Sequence, residues 1–106
     1  MAWVILVIAG LLETVWALFL KESHGLTRVL PTIGFVVFSI LSVVLLAQAL
    51  KSLPVGTAYA VWTGIGAAGT ALIGMIWLGE PRDAARIISL VMLIAGIIGL
   101  KLSSSQ

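Results

Sequence analysis

Four long apolar runs joined by short polar connectors dominate this chain. A helix needs about 20 apolar residues, at about 1.5 Å rise each, to cross the hydrocarbon of a bilayer. The runs fall at roughly 2–20, 29–50, 55–78 and 84–100. Lipid supplies no water to the backbone, so each run must close its hydrogen bonds within itself. The expected fold is an all-α integral membrane protein with four transmembrane helices, one domain over residues 1–106. Composition agrees. Hydrophobic residues make up 61% of the chain and charged ones 9%, whereas charged residues are about a quarter of a soluble domain.

The connectors carry the stop signals. Lys21 to Arg28 holds Gly25, suited to end a helix, and Pro31 suits the first turn of the next. Lys51-Ser52-Leu53-Pro54 is a very short turn, and Gly79 to Asp83 offers Asp83 as an N-cap. The tail, residues 103–106, is expected to fray. The first run has no basic residue before it, no small-x-small site after it, and an acid within it. It is expected to stay in the mature protein rather than act as a cleaved signal.

Short connectors make successive helices antiparallel, so both termini lie on one side. Lys21, Arg28, Arg82 and Arg86 then face Lys51, Lys101 and the free amine across the membrane. This favours the first and third loops in the cytoplasm only weakly, and insertion in both orientations is plausible. The scattered net charge of +2 forms no basic patch, so nucleic acid is not an expected partner.

Inside the first run stands Glu13, the one acid within any of the four. A carboxylate at membrane depth costs about 2.5–3.5 kcal/mol on insertion scales, and such residues mark ion, proton or substrate pathways. A protonated structural donor to a neighbouring helix is the plainer alternative. On a helix Glu13 shares its face with Ala9, Gly10, Trp16 and Ala17. Gly10 would leave room beside the carboxylate, and Trp16 places an indole one turn away. Trp3, at the end of the run, suits an interfacial anchor.

The second run presents Phe35, Phe38, Ser39 and Ser42 on related faces. Ser42 lies at a depth like that of Glu13, where its hydroxyl could hold the carboxylate or bond back to its own helix. The third run places Tyr59, Trp62 and Gly66 on one face, and Gly64 with Gly66 makes a weak point mid-helix. Such a pair serves either a bend or close packing against a neighbour. In the fourth run Ser89 and Gly96 lie seven residues apart on one face, with Gly99 a turn further. Small residues there suit a contact between subunits, although glycine is common in membrane helices generally. Four helices of this length cannot easily enclose a substrate path, so oligomerisation is expected.

A buried carboxylate with Trp16, Tyr59 and Trp62 reads as a cation site. The acid supplies charge, and the rings supply cation–π attraction of about 2 kcal/mol when desolvated. A proton and a cation would contend for one carboxylate, the minimum machinery of antiport. No enzyme signature, cofactor motif or metal-ligand spacing is present: His24 stands alone in a loop. Gly64 to Gly69 matches Gly-x-Gly-x-x-Gly, but inside an apolar span with no strand before it.

These residues resemble the small multidrug resistance transporters over essentially the whole chain. Within that family the guanidinium exporter subtype is the closer likeness, through Gly10, Trp16 and Ala17, Ala60 and Ala67, Lys101, and the run Pro54 to Gly66. Ser39, on the portal of the second helix, departs from the larger side chain of some members. The resemblance implies an antiparallel, dual-topology homodimer in the bacterial inner membrane. It implies that Glu13 of both subunits binds protons and substrate in turn, with Gly10, Trp16, Ser42, Tyr59 and Trp62 around it. Gly64 and Gly66 would bend the third helix, and Ser89 and Gly96 would join the dimer contact. The implied function is proton-coupled export of guanidinium and small guanidinyl cations, without a cofactor. The alternative is export of quaternary ammonium and other hydrophobic cations. Guanidinium is planar and donates in forks that match carboxylates. A quaternary ammonium would leave those acceptors unpaired, at about 1–3 kcal/mol each. Two other readings, a non-transporting partner subunit using Glu13 as assembly glue and a passive cation channel, explain less of the pattern.

Overall fold

The computed structural model describes residues 1–103; the fraying expected of the tail falls on 104–106, outside them, while Ser103 closes the last helix. The helices are α1 (Ala2–Glu22), α2 (Val29–Ala49), α3 (Val55–Trp77) and α4 (Ala84–Ser103). Each is long and apolar enough to cross a membrane, and with no external partner for the backbone in lipid the helix is the only span open to it.

The polar connectors are more structured than their composition suggests. Buried Ser23 donates to the Leu20 carbonyl (2.6 Å) and accepts the Leu26 N–H (3.0 Å). It thereby holds three successive left-handed residues, His24, Gly25 and Leu26, and α1 stops ahead of the glycine. Pro31 sits in the first turn of α2, where its missing N–H costs nothing. After α3, Gly79 takes a positive φ of 69°. The chain folds back there, and the Glu80 N–H reaches the Gly74 carbonyl at 3.1 Å. The Glu80 side chain lies over Gly74, where any Cβ would overlap it. Arg86 pairs with Glu80 at 2.8 Å, and Arg82 Nε donates to the Met75 carbonyl at 2.8 Å. At the start of α4 the carbonyl of Asp83 accepts the Ile87 N–H at 3.1 Å.

The helices do not form a closed bundle with a solid centre. They make a slab of 43 × 35 × 17 Å. Helix α1 lies between α2 and α3, α2 barely meets α3, and the backbone of α4 approaches α3 alone. Contacts fix the directions. Ala9 meets Ser42 and Trp16 meets Phe35, so α1 and α2 run antiparallel. Gly10 meets Ile65 and Thr14 meets Gly69, so α1 and α3 run parallel. The main core joins Leu6, Leu46, Ala49, Leu53, Ala58 and Val61; a smaller one joins Ala68, Met75 and Leu90. Leu90 is the one buried residue of α4. Most of that helix, including Ile88, Val91 and Met92, is open, as a surface against lipid or another chain must be, while Ile97 and Leu100 pack against the main core.

Lys101, at the end of α4, does more than reach for the membrane surface. Its Nζ lies 5.0 Å from the centre of the Trp3 ring, a cation–π distance, and joins the last turn of α4 to the first turn of α1.

Candidate functional site

Glu13 stands one residue past Leu12, the midpoint of the 21-residue α1. It is half-buried, and among the described residues no Lys, Arg or His pairs with it. Its side chain packs on Gly66 of α3 so closely that a Cβ there would overlap the carboxyl group. The glycine is required for approach: α3 comes near enough to lay its bare backbone against the acid. Gly64 does the same towards α4, where a Cβ would stand 2.9 Å from Ile97. In this structure α3 is one continuous helix, with both glycines used for packing.

Gly10 does not leave open space beside the carboxylate. Ile65 fills it, and a Cβ on Gly10 would lie 2.8 Å from the Ile65 side chain. A vacant spot facing another helix is taken by that helix, because membrane interfaces gain from close packing.

Ser42 is fully buried, and it bonds neither to Glu13 nor to its own helix. Its hydroxyl donates to the Ala9 carbonyl of α1 at 2.7 Å and accepts the Trp62 indole N–H of α3 at 2.9 Å. One serine thus ties three helices together beside the acid and fixes the Trp62 ring. Trp62 in turn lies 5.7 Å from the Tyr59 ring at 47°. Tyr59 itself is 56% exposed, on the outer side of the chain. Replacing Ser42 with alanine would leave the part-buried Trp62 indole N–H without its partner and remove the tie to α1. It is expected to cost about 1–3 kcal/mol, read as a lower unfolding temperature in detergent.

Trp16 turns away to α2, where it meets Phe35 edge-on at 5.6 Å, and Phe19 stacks on Phe38 at 5.7 Å. The Trp16 indole N–H is buried and has no hydrogen-bond partner. Ser39 bonds back to the Val36 carbonyl at 3.0 Å. Ser89 does likewise to Ala85 at 2.8 Å, and a Cβ on Gly96 would meet nothing. The α4 face that carries them is uncovered in the single chain.

The acid is not enclosed. One groove runs along Val15, Leu18, Phe19 and Glu22, another between Trp3, Val61 and Ile97, and neither includes Glu13. Periodicity along the chain does not single out Thr14 and Thr70, yet both hydroxyls reach the Gly66 carbonyl beside Glu13. The signal for Thr14 is a hydroxyl next to the acid inside an apolar run.

Fold and site together define a small multi-pass membrane protein with an unpaired carboxylate at mid-span. The profile of the family described as Small Multidrug Resistance protein matches residues 1–93. A relative from Yersinia pseudotuberculosis serotype I (strain IP32953), named Guanidinium exporter, is 64% identical over 104 residues, covering 98% of this chain and 100% of its own. Relatives of the same name from Escherichia coli (strain K12) and Citrobacter freundii are 59% and 56% identical, over 98% of this chain and 99% of theirs. The chain belongs to the small multidrug resistance family of transporters.

Proposed function

We propose that this chain exports guanidinium and small guanidinyl cations in exchange for protons, as an antiparallel, dual-topology homodimer in the bacterial inner membrane. One observation carries the reading: among the described residues, no Lys, Arg or His pairs with the carboxylate at the middle of α1. Such a group calls for a mobile partner, a proton or a cation. The names of the relatives favour guanidinium as that cation.

The two copies supply what one lacks. Glu13 of a single slab is half-buried and open on one side, so a second copy would complete the enclosure. Trp62, Tyr59 and Ser42 would line it, with Ser42 acting through the Trp62 ring it holds. The open α4 face with Ser89 and Gly96 would supply the dimer contact. The close packing of Gly64 and Gly66 leaves α3 no side chain there to resist bending, so α3 would swing at that point as access alternates.

Competition sets the pH dependence. Guanidinium binds the ionised acid and a proton binds the same acid, so acid pH must weaken guanidinium. Where protonation dominates, each unit of falling pH is expected to weaken apparent affinity about tenfold if one proton is displaced. Two displaced protons would give about a hundredfold. Titration calorimetry of the purified protein across pH checks this, and an affinity flat with pH overturns the exchange mechanism. Uptake in proteoliposomes under a proton gradient tests the substrate: tetraalkylammonium carried in place of guanidinium would assign the chain to the other substrate class.

A further inference from the structure

We propose that Thr14 is a positioning residue of the transport cycle: its hydroxyl fastens the Glu13-bearing turn of α1 to the Gly66 carbonyl of α3, making movement of α3 and rearrangement at Glu13 a single event. The inference rests on the exporter reading above and adds to it a residue that does not touch the cation.

Among the described residues two hydroxyls donate to the backbone of another helix, Ser42 to Ala9 and Thr14 to Gly66. Thr32, Thr70 and Ser89 each donate to the carbonyl four residues earlier in their own helix. That is the ordinary solution for a hydroxyl in an apolar span. Thr14 instead crosses to α3 and donates to Gly66 at 3.1 Å, and its side chain is 5% exposed. The approach is built in. A Cβ on Gly69 would overlap the Thr14 hydroxyl, as a Cβ on Gly66 would overlap the Glu13 carboxyl group. Consecutive residues of α1 therefore dock on Gly66 and Gly69, three apart and so on one face of α3.

The receiving carbonyl is already contested. Thr70 donates its own hydroxyl to Gly66 at 2.7 Å. A carbonyl oxygen has two lone pairs, so two hydroxyls compete with the helical N–H for them. Side chains that insert into the helical ladder in this way are a recognised cause of bending. The carbonyl that takes the Thr14 bond thus receives two side-chain hydroxyls besides the helical N–H. If α3 swings about Gly64 and Gly66, the Thr14 bond must break in one subunit and form in the other at every half-cycle. Thr14 then sets how readily the two arrangements interconvert and leaves the affinity of Glu13 for cations alone.

The test compares the full-length protein with Thr14→Val, which keeps the shape, and Thr14→Ser, which keeps the hydroxyl. Guanidinium affinity, proteoliposome turnover and amide exchange at residues 66–70 are measured together. Thr14→Val is expected to bind guanidinium within about twofold of the parent, yet turn over about five- to tenfold faster, the loss of one hydrogen bond. Amide exchange at 66–70 should quicken as well, and Thr14→Ser should restore both turnover and exchange. Thr70→Val, which frees the carbonyl for Thr14, is expected to slow turnover and reads the same tie independently should Thr14→Val not assemble. Unchanged turnover, turnover and affinity falling in step, or failure of serine to rescue would overturn the proposal. Glu13→Gln separates the two layers. If it transports like the parent, the exporter reading fails, whereas a silent Thr14→Val on a Glu13-dependent transporter sinks this inference alone.

Discussion

Replacing Glu13 with glutamine is expected to abolish guanidinium-driven proton movement through the reconstituted protein. Glutamine has nearly the shape of glutamate, so the seam in which this side chain lies against Gly66 should survive. What disappears is the charge and the proton site. Among the described residues no other acid lies at mid-span to replace it, because Glu22, Glu80 and Asp83 all sit at helix ends or in loops. Removing one member of a buried charge pair costs about 2–5 kcal/mol, and about 1.4 kcal/mol is tenfold. Guanidinium affinity should therefore fall at least about 30-fold, and coupled flux below detection. Calorimetry and a pH-sensitive dye inside proteoliposomes measure the two. Coupled flux surviving in the glutamine variant would remove Glu13 from the mechanism.

The second large effect is expected at Gly66. An alanine methyl there would occupy space held by the Glu13 carboxyl group. The helices must part or the acid must leave its place. Overpacking of this kind costs about 1–3 kcal/mol in stability. Displacing the acid by about 1 Å is enough to cost roughly a hundredfold in rate where geometry matters. Gly66→Ala should thus unfold at lower temperature and transport guanidinium roughly a hundredfold more slowly. Gly56→Ala is the control: a methyl there meets nothing within 4 Å, so the fold should be unaffected. A Gly66→Ala variant with normal transport would show that α1 and α3 are not pressed together at the acid in the working protein.

The helices and the acid were legible because each depends on local pattern. Apolar length alone set the spans, and observed ends differ from expected ones by at most a few residues: α1 runs on to Glu22 and α4 to Ser103. Glu13 stood out because nothing else charged lies inside a run. Partners across helices were not legible. Periodicity says that Gly10 and Glu13 share a face, but not that Ile65 fills the space at Gly10. It places Ser42 at the right depth without revealing that Ala9 and Trp62 take its hydroxyl. Helix faces are also nearly uniform in apolarity here, so the pattern could not show that the α4 backbone would approach α3 alone and leave a slab rather than a bundle.

The clasp of Lys101 on Trp3 places the start of α1 and the last turn of α4 at the same membrane surface. Two copies fused head to tail through a short soluble linker would therefore enter the bilayer facing the same way. An opposed pair encoded as one polypeptide would need a fifth crossing between its halves, so gene fusions with and without that added span would report which arrangement is active.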